Sequence, residues 1–106
     1  MPEKYRETAK IVKQEMIGNG IYSMWLQTAE IAKAARPGQF LSVYSRDKSR
    51  MLPRPISICE TDQEKRQLRI VYRVAGKGTE EFSGYTAGES LDILGPLGNG
   101  FPLDRM

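Results

Sequence analysis

The sequence has no histidine and a single cysteine, Cys59, among its 106 residues. Without histidine, the chain lacks the most frequent general base and the most frequent metal ligand of proteins. With one cysteine it cannot form an internal disulfide, nor can it hold an iron–sulfur cluster by itself. The composition therefore excludes a disulfide scaffold and a cluster bound by this chain alone.

Long apolar runs and concentrated charge are also missing. No apolar run approaches the roughly 20 residues of a membrane span, and the start of the chain lacks the apolar stretch of a secretory signal. Sixteen Lys and Arg are interleaved with thirteen Asp and Glu, which is typical of a solvated surface. No segment combines basic and stacking aromatic residues as nucleic-acid binding requires. We therefore expect one cytoplasmic domain, residues 1–106, that contacts neither nucleic acid nor membrane.

Alternation of apolar and polar residues runs through the chain and predicts strands. The clearest strand covers residues 67–74, with Leu68, Ile70 and Tyr72 on one face. An opening strand lies within residues 5–16, where Ala9 and Ile11 share a face. The other expected strands cover residues 21–28, 40–45, 56–59 and 90–93. We expect Cys59, Trp25, Tyr22 and Tyr44 to be core residues of these strands.

Glycine and proline punctuate the strands in a way that predicts short antiparallel connections. Gly18-Asn19-Gly20 is typical of a hairpin turn, and Pro37-Gly38 of a type II turn. Residues 29–36 are either a short helix or an irregular connection. We expect one helix at residues 80–83, capped by Thr79 and closed by a left-handed Gly84. The predicted fold is all-β: a six-stranded antiparallel Greek-key barrel with one short helix.

Arg54-Pro55-Ile56-Ser57 is the sharpest local motif. Pro53 and Pro55 hold the backbone extended on both sides of Arg54. A guanidinium on such a segment can form bidentate hydrogen bonds with a phosphate. Ser57 adds a donor and an acceptor beside the bound group. A proline-flanked entry to an edge strand explains the same residues equally well.

Gly76-Lys77-Gly78-Thr79 is the second motif. Glycine lets the backbone approach a phosphate closely, and a following helix offers unpaired N–H groups. The motif is neither a Walker loop nor a dinucleotide fingerprint, because the required glycine positions hold Val71 and Glu81. A plain turn between strand and helix remains an equal alternative. Residues 95–101, Gly-Pro-Leu-Gly-Asn-Gly-Phe, are expected to form a flexible loop.

The order of these motifs resembles the FAD domain of the ferredoxin reductase superfamily. More narrowly, the chain is similar to the electron-transfer subunit of the NAD-linked class B dihydroorotate dehydrogenases. The resemblance is carried by Pro37-Gly38-Gln39-Phe40, Arg54-Pro55-Ile56-Ser57-Ile58, Val71-Tyr72-Arg73-Val74 and the loop at residues 95–101. It covers essentially the whole chain.

The resemblance implies a role for each matching residue. Arg54 would hold the FAD pyrophosphate, and Ser57 would hydrogen-bond the reactive edge of the isoalloxazine. The remaining roles are backbone contact with the ring (Pro55, Ile56), lining of the ring and ribityl chain (Val71, Tyr72, Arg73) and phosphate binding (Gly78, Thr79). The family often has an aromatic residue where Ile56 stands.

The resemblance also implies the activity of a whole flavoprotein oxidoreductase. Electrons would pass from NADH to FAD and through a 2Fe-2S cluster to an FMN-containing dihydroorotate dehydrogenase catalytic subunit in pyrimidine biosynthesis. The NAD domain and the cluster segment would follow residue 106, so the chain alone would be inactive. Alternatives are the FAD domain of a sulfide dehydrogenase or NADH-ferredoxin oxidoreductase subunit, and a barrel that binds without redox chemistry.

Overall fold

The computed structural model describes residues 4–44 and 53–98. These residues form six strands and two short helices. In chain order they are β1 (Tyr5–Gly18), β2 (Ile21–Gln27), α1 (Ile31–Ala34), β3 (Phe40–Tyr44), β4 (Arg54–Asp62), β5 (Gln67–Arg73), α2 (Lys77–Ser83) and β6 (Ser90–Leu97). Ser45, predicted to end the third strand, lies outside the described residues.

The strands close into an antiparallel barrel in the order β1-β2-β5-β4-β3-β6. Strands β3, β4 and β5 are consecutive neighbours, and β6 returns to lie beside β3, which is the Greek-key arrangement. The six-stranded Greek-key barrel predicted from the sequence is therefore confirmed. None of the helices in the described residues has the length and apolar character needed to cross a lipid bilayer.

The barrel interior collects one face of each strand. Ala9 and Ile11 share the buried face of β1, and Leu68, Ile70 and Tyr72 that of β5, as the alternation predicted. The other fully buried large side chains are Met24, Leu26, Ile31, Leu41, Val43, Ile58, Phe82 and Ile93. Burying these apolar side chains drives closure of the barrel.

The two predicted turns form where the glycines allow them. The β1–β2 hairpin turns at Asn19 and Gly20, and Gly20 has a φ of 71°. At the second turn, the Gln39 N–H donates to the Arg36 carbonyl at 3.1 Å and Gly38 has a φ of 93°. This is the type II geometry, which requires a positive φ at its third residue.

The helix predictions need correction. Part of the segment left open at residues 29–36 is helical, so the structure has two short helices instead of one. Helix α2 begins at Lys77 with Gly76 as its N-cap, so Thr79 is a helical residue and not the cap. Gly84 has a φ of −88° and is not left-handed. The helix ends with two hydrogen bonds between residues three positions apart: the Gly84 N–H donates to the Glu81 carbonyl, and the Tyr85 N–H donates to the Phe82 carbonyl. These bonds need no positive φ.

Three side chains assigned to the core lie elsewhere. Cys59 is exposed, because the alternation that buries Ile56 and Ile58 turns residue 59 outward. Trp25 and Tyr44 are half-buried, outside the buried core. The prediction was wrong because it relied on residue type and ignored which face of the strand each position occupies. Tyr22 does pack against the core.

The last strand extends further than the sequence predicted. Strand β6 runs to Leu97, because Gly95 pairs with Tyr5 of β1 and Leu97 pairs with Phe40 of β3. The flexible-loop interpretation is therefore wrong for residues 95–97. A side chain at position 95 would force its neighbours to shift, since an added Cβ would stand 2.7 Å from Cδ2 of the buried Leu41 and 3.3 Å from the Phe40 carbonyl oxygen. Residues 99–101 of the predicted loop lie outside the described residues.

A carboxylate from strand β1 holds the start of helix α1. The Glu7 carboxylate of β1 accepts hydrogen bonds from the N–H groups of Ala29, Glu30 and Ile31, at 2.6, 2.7 and 2.8 Å. Because these N–H groups would otherwise lose their partners, we expect Glu7→Ala to lower the free energy of unfolding by about 1–3 kcal/mol. Urea unfolding measures this, with Glu64→Ala in the exposed β4–β5 turn as the control. Equal stability of both variants would contradict this role of Glu7.

Candidate functional site

The barrel wall separates between β4 and β5. The two strands pair from Ile58 and Ile70 towards their common turn. Beyond that point Arg54–Ser57 pairs with β3, and no pairing with β5 is found in the described part of the chain. Continued pairing would place Ser57 opposite Val71 and Pro55 opposite Arg73. The separated ends instead leave two strand edges facing an opening.

A pocket of about 270 Å³ occupies this opening. Its lining consists of residues from β4, β5 and the start of α2: Arg54, Pro55, Ile56, Ser57, Val71, Tyr72, Arg73, Ala75 and Thr79. Eight of the nine residues proposed from the sequence thus lie together, and Gly78 does not join them. Ala75 was not predicted, because a methyl side chain carries no chemical signal. The whole first motif thus lies beside Thr79, the one residue of the second motif that lines the pocket.

The pocket has a positive mouth. Arg54 and Arg73, both exposed, line it from opposite strands, and no Asp or Glu is among its lining residues. Guanidinium groups stay charged at all ordinary pH values and match the geometry of phosphate oxygens. The exposed Ser57 adds a hydroxyl beside them. This arrangement favours an anionic ligand, above all one with phosphate groups.

Two buried residues, Ile56 and Tyr72, form the floor of the pocket. The Ile56 and Tyr72 side chains are only 5% and 6% exposed. The Tyr72 ring stacks on Tyr22 at 5.8 Å between centroids and meets the edge of Phe82 at 6.4 Å. Burial raises the pKa of Tyr72, and the neighbouring Tyr22 raises it further. Tyr72 therefore remains a neutral phenol and supplies the aromatic part of the floor.

Thr79 shapes the turn between β5 and α2. Its Oγ1 accepts the Ala75 N–H at 2.8 Å and donates to the Gly76 carbonyl at 3.2 Å. Gly76 has a φ of 144°, which a residue with a side chain rarely adopts. The Thr79 hydroxyl thus fixes the wall of the pocket, and phosphate binding by Gly78 stays a prediction. No cluster of potential metal ligands is found in residues 4–44 and 53–98.

Solved structures with the same barrel define the class of protein. The NADH-dependent reduced ferredoxin-NADP oxidoreductase matches with a TM-score of 0.80 and 33% identity, over 88% of this chain and 35% of that chain. A ferredoxin NADP⁺ reductase from Neisseria gonorrhoeae, solved with bound FAD and NADP, matches with a TM-score of 0.71 over 94% of this chain and 40% of that chain. At 16% identity the second likeness shows the fold alone. The chain has the fold of the FAD-binding domains of ferredoxin reductases.

Sequence relatives narrow the class. The electron transfer subunit of dihydroorotate dehydrogenase B from Streptococcus pneumoniae is 43% identical over 94% of this chain. The same subunit from Enterococcus faecalis is 43% identical over 95% of it. The chain is a homologue of these electron transfer subunits and spans 39% and 38% of their lengths. No protein-family model matches the chain.

Proposed function

We propose that this chain binds FAD in the opening between β4 and β5, as the flavin domain of a dihydroorotate dehydrogenase B electron transfer subunit. The observation that carries the proposal is the pocket itself, with two arginines at its mouth and an aromatic floor. The homology to such subunits supports the same assignment.

The chemistry of the pocket suits both halves of the cofactor. The pyrophosphate needs cations, which Arg54 and Arg73 supply. The isoalloxazine needs an apolar surface and hydrogen-bonding partners at its polar edge, which Tyr72 and Ser57 supply. The separated strand edges add the backbone N–H and C=O groups of Val71 and Ser57, which alternate with residues bonded to β2 and β3. A bound flavin accepts a hydride and releases single electrons, which is what an electron transfer subunit requires.

Within this proposal each residue has one task. Arg54 holds the pyrophosphate, and Ser57 hydrogen-bonds the reactive edge of the ring. The other contacts fall to the backbone of Pro55 and Ile56, to Val71, Tyr72 and Arg73 beside the ring and ribityl chain, and to Gly78 and Thr79 at phosphate. Ile56 has no aromatic ring to stack on the flavin, so its contact is assigned to the backbone.

The wider activity concerns the whole electron transfer subunit. Its FAD would exchange electrons with NADH on one side and, through a 2Fe-2S cluster, with an FMN-containing catalytic subunit on the other. A cytoplasmic location suits pyrimidine biosynthesis. The chain's single cysteine means that this barrel holds only the flavin.

A ferredoxin-linked oxidoreductase is the second candidate function. The likeness to the NADH-dependent reduced ferredoxin-NADP oxidoreductase, at a TM-score of 0.80, favours it. Both candidates require FAD in the same pocket, so the partner protein distinguishes them. Tested on the whole electron transfer subunit, reduction of the flavin by dihydroorotate in the presence of an FMN-containing dehydrogenase would favour the first candidate, and reduction by ferredoxin the second.

FAD binding can be measured through Trp25, the only tryptophan. Trp25 pairs with Arg69, and Ser23, two residues earlier on β2, pairs with Val71 of the pocket. Trp25 and Val71 are therefore diagonal neighbours across the two strands, roughly 7–8 Å apart. Because flavins absorb where tryptophan emits, we expect bound FAD to quench its fluorescence. FMN lacks the second phosphate and should bind about tenfold or more weakly.

The control for this titration is Trp25→Phe. In that variant FAD binding, followed by ultrafiltration, should persist without the tryptophan signal. Equal affinity for FAD and FMN would contradict a pyrophosphate site. Failure of both flavins to bind would refute the proposed function.

A further inference from the structure

Gln14 of β1 joins three elements although it lies outside the pocket lining. Its Nε2 donates to the carbonyl oxygens of Phe82 and Tyr85, at 2.9 and 2.7 Å, at the end of α2. Its Oε1 accepts the Tyr72 hydroxyl of β5 at 2.5 Å. One half-buried side chain thus connects β1, β5 and α2.

The chemistry of these partners determines the direction of every bond. Backbone carbonyls only accept, so both amide hydrogens of Gln14 must point to α2. The amide oxygen must then face Tyr72, whose hydroxyl has to donate its single proton. Tyr72 is therefore unable to donate a hydrogen bond to a ligand while this arrangement holds.

Both elements that Gln14 holds contribute to the pocket. Tyr72 forms the floor, and α2 carries Thr79, which fixes the wall through its bond to the Ala75 N–H. Phe82 is 1% exposed, and its ring contacts the rings of Tyr72 and Tyr85, so a displacement of α2 disturbs the floor as well.

We propose that Gln14 is a positioning residue of the FAD pocket. It holds α2 and the Tyr72 ring in fixed positions relative to each other and lies outside the pocket lining, so it would act on FAD binding through them. This inference rests on the proposed FAD binding.

The test compares three substitutions in the 106-residue chain. Gln14→Leu removes every bond of the side chain. Gln14→Glu keeps an acceptor for Tyr72 but, as a carboxylate, loses both donors to α2. The matched control is Gln27→Leu, since Gln27 also donates to main-chain carbonyls, with its bond to Lys65 at 2.7 Å. Gln27 ends β2 four residues from Ser23, which pairs with Val71 of the pocket, so it lies roughly 13 Å away along the strand.

FAD affinity is measured by Trp25 quenching at a temperature where circular dichroism shows every variant folded. We expect Gln14→Leu and Gln14→Glu each to weaken FAD binding about tenfold, and Gln27→Leu to bind FAD like the wild type even where it lowers stability. The same dissociation constant for Gln14→Leu and wild type would overturn the proposal. An equal loss of affinity in Gln27→Leu would do the same, because general destabilisation would then explain both.

Amide hydrogen exchange gives a measurement that does not depend on the flavin. Without FAD, the α2 amides of residues 80–84 should exchange about tenfold faster in Gln14→Leu than in wild type or Gln27→Leu. Failure of wild type to bind FAD would refute the proposed function and the role in FAD binding, whereas the exchange rates would still decide whether Gln14 positions α2. Unchanged exchange in Gln14→Leu would overturn that part too.

Discussion

Arg54→Ala is expected to weaken FAD binding by roughly 30- to 150-fold, which corresponds to about 2–3 kcal/mol. Arg54 is exposed at the mouth of the pocket, on the part of β4 that has left β5. Its removal deprives the pyrophosphate of a charge-assisted hydrogen bond. The barrel should remain about equally stable without ligand, because the Arg54 side chain is exposed.

Two further variants distinguish the effect of the planar guanidinium of Arg54 from the effect of its positive charge. Arg54→Lys keeps the charge but not the planar fork, so it should recover only part of the lost affinity. Arg36→Ala also removes one positive charge, but Arg36 lies in the loop before β3 and does not line the pocket. Fluorescence titration with FAD compares all three. An affinity of Arg54→Ala equal to that of Arg36→Ala would exclude Arg54 from the site.

The fold follows from the sequence because each strand carries its own pattern. The alternation in residues 67–74 identified the buried face of β5, and Gly20 and Gly38 marked turns that need a positive φ. These are local signals. Two kinds of prediction were wrong. Cys59 was assigned to the core from its residue type, although its position on β4 faces outward, and Gly84 was expected to be left-handed, although its φ is negative.

The candidate site was only partly predictable, because it lies where the pairing between β4 and β5 stops. The motifs indicated the residues on both sides of the pocket, but no local pattern states that β4 leaves β5 beyond Ile58. That separation follows from closing a twisted sheet into a barrel, in which β4 continues its pairing with β3 alone.

Gln14 was missed for a related reason. The pairing of β1 with β2 shifts between Ile11 and Lys13, which is a β-bulge at Val12. The bulge moves the inward positions of β1 from odd numbers (Ala9, Ile11) to even ones, so that Gln14 and not Lys13 faces the interior. Strict alternation would bury a lysine, and that conflict is the signal that could have revealed the bulge.

Phe82→Ala is expected to cause the largest loss of stability. The Phe82 side chain is 1% exposed and packs between the rings of Tyr72 and Tyr85. Its truncation should cost about 3–5 kcal/mol through lost burial and the cavity left behind. Since domains of this size have a free energy of unfolding of about 5–15 kcal/mol, the variant should be marginally folded. Urea unfolding measures the change, with Phe82→Leu as a variant that keeps most of the volume and should lose much less.

FAD should restore part of this loss, because α2 belongs to both the core and the pocket. A ligand that binds only the native state at about 100 times its dissociation constant adds roughly 2.7 kcal/mol. We expect Phe82→Ala to bind FAD more weakly, since loss of the ring contacts should displace α2 from Tyr72, so the same FAD concentration should stabilise it less than the wild type. Thermal unfolding at several FAD concentrations compares the two increments. If Phe82→Ala gained as much as the wild type, the pocket would be independent of α2, and the coupling of helix, tyrosine and flavin site would be wrong.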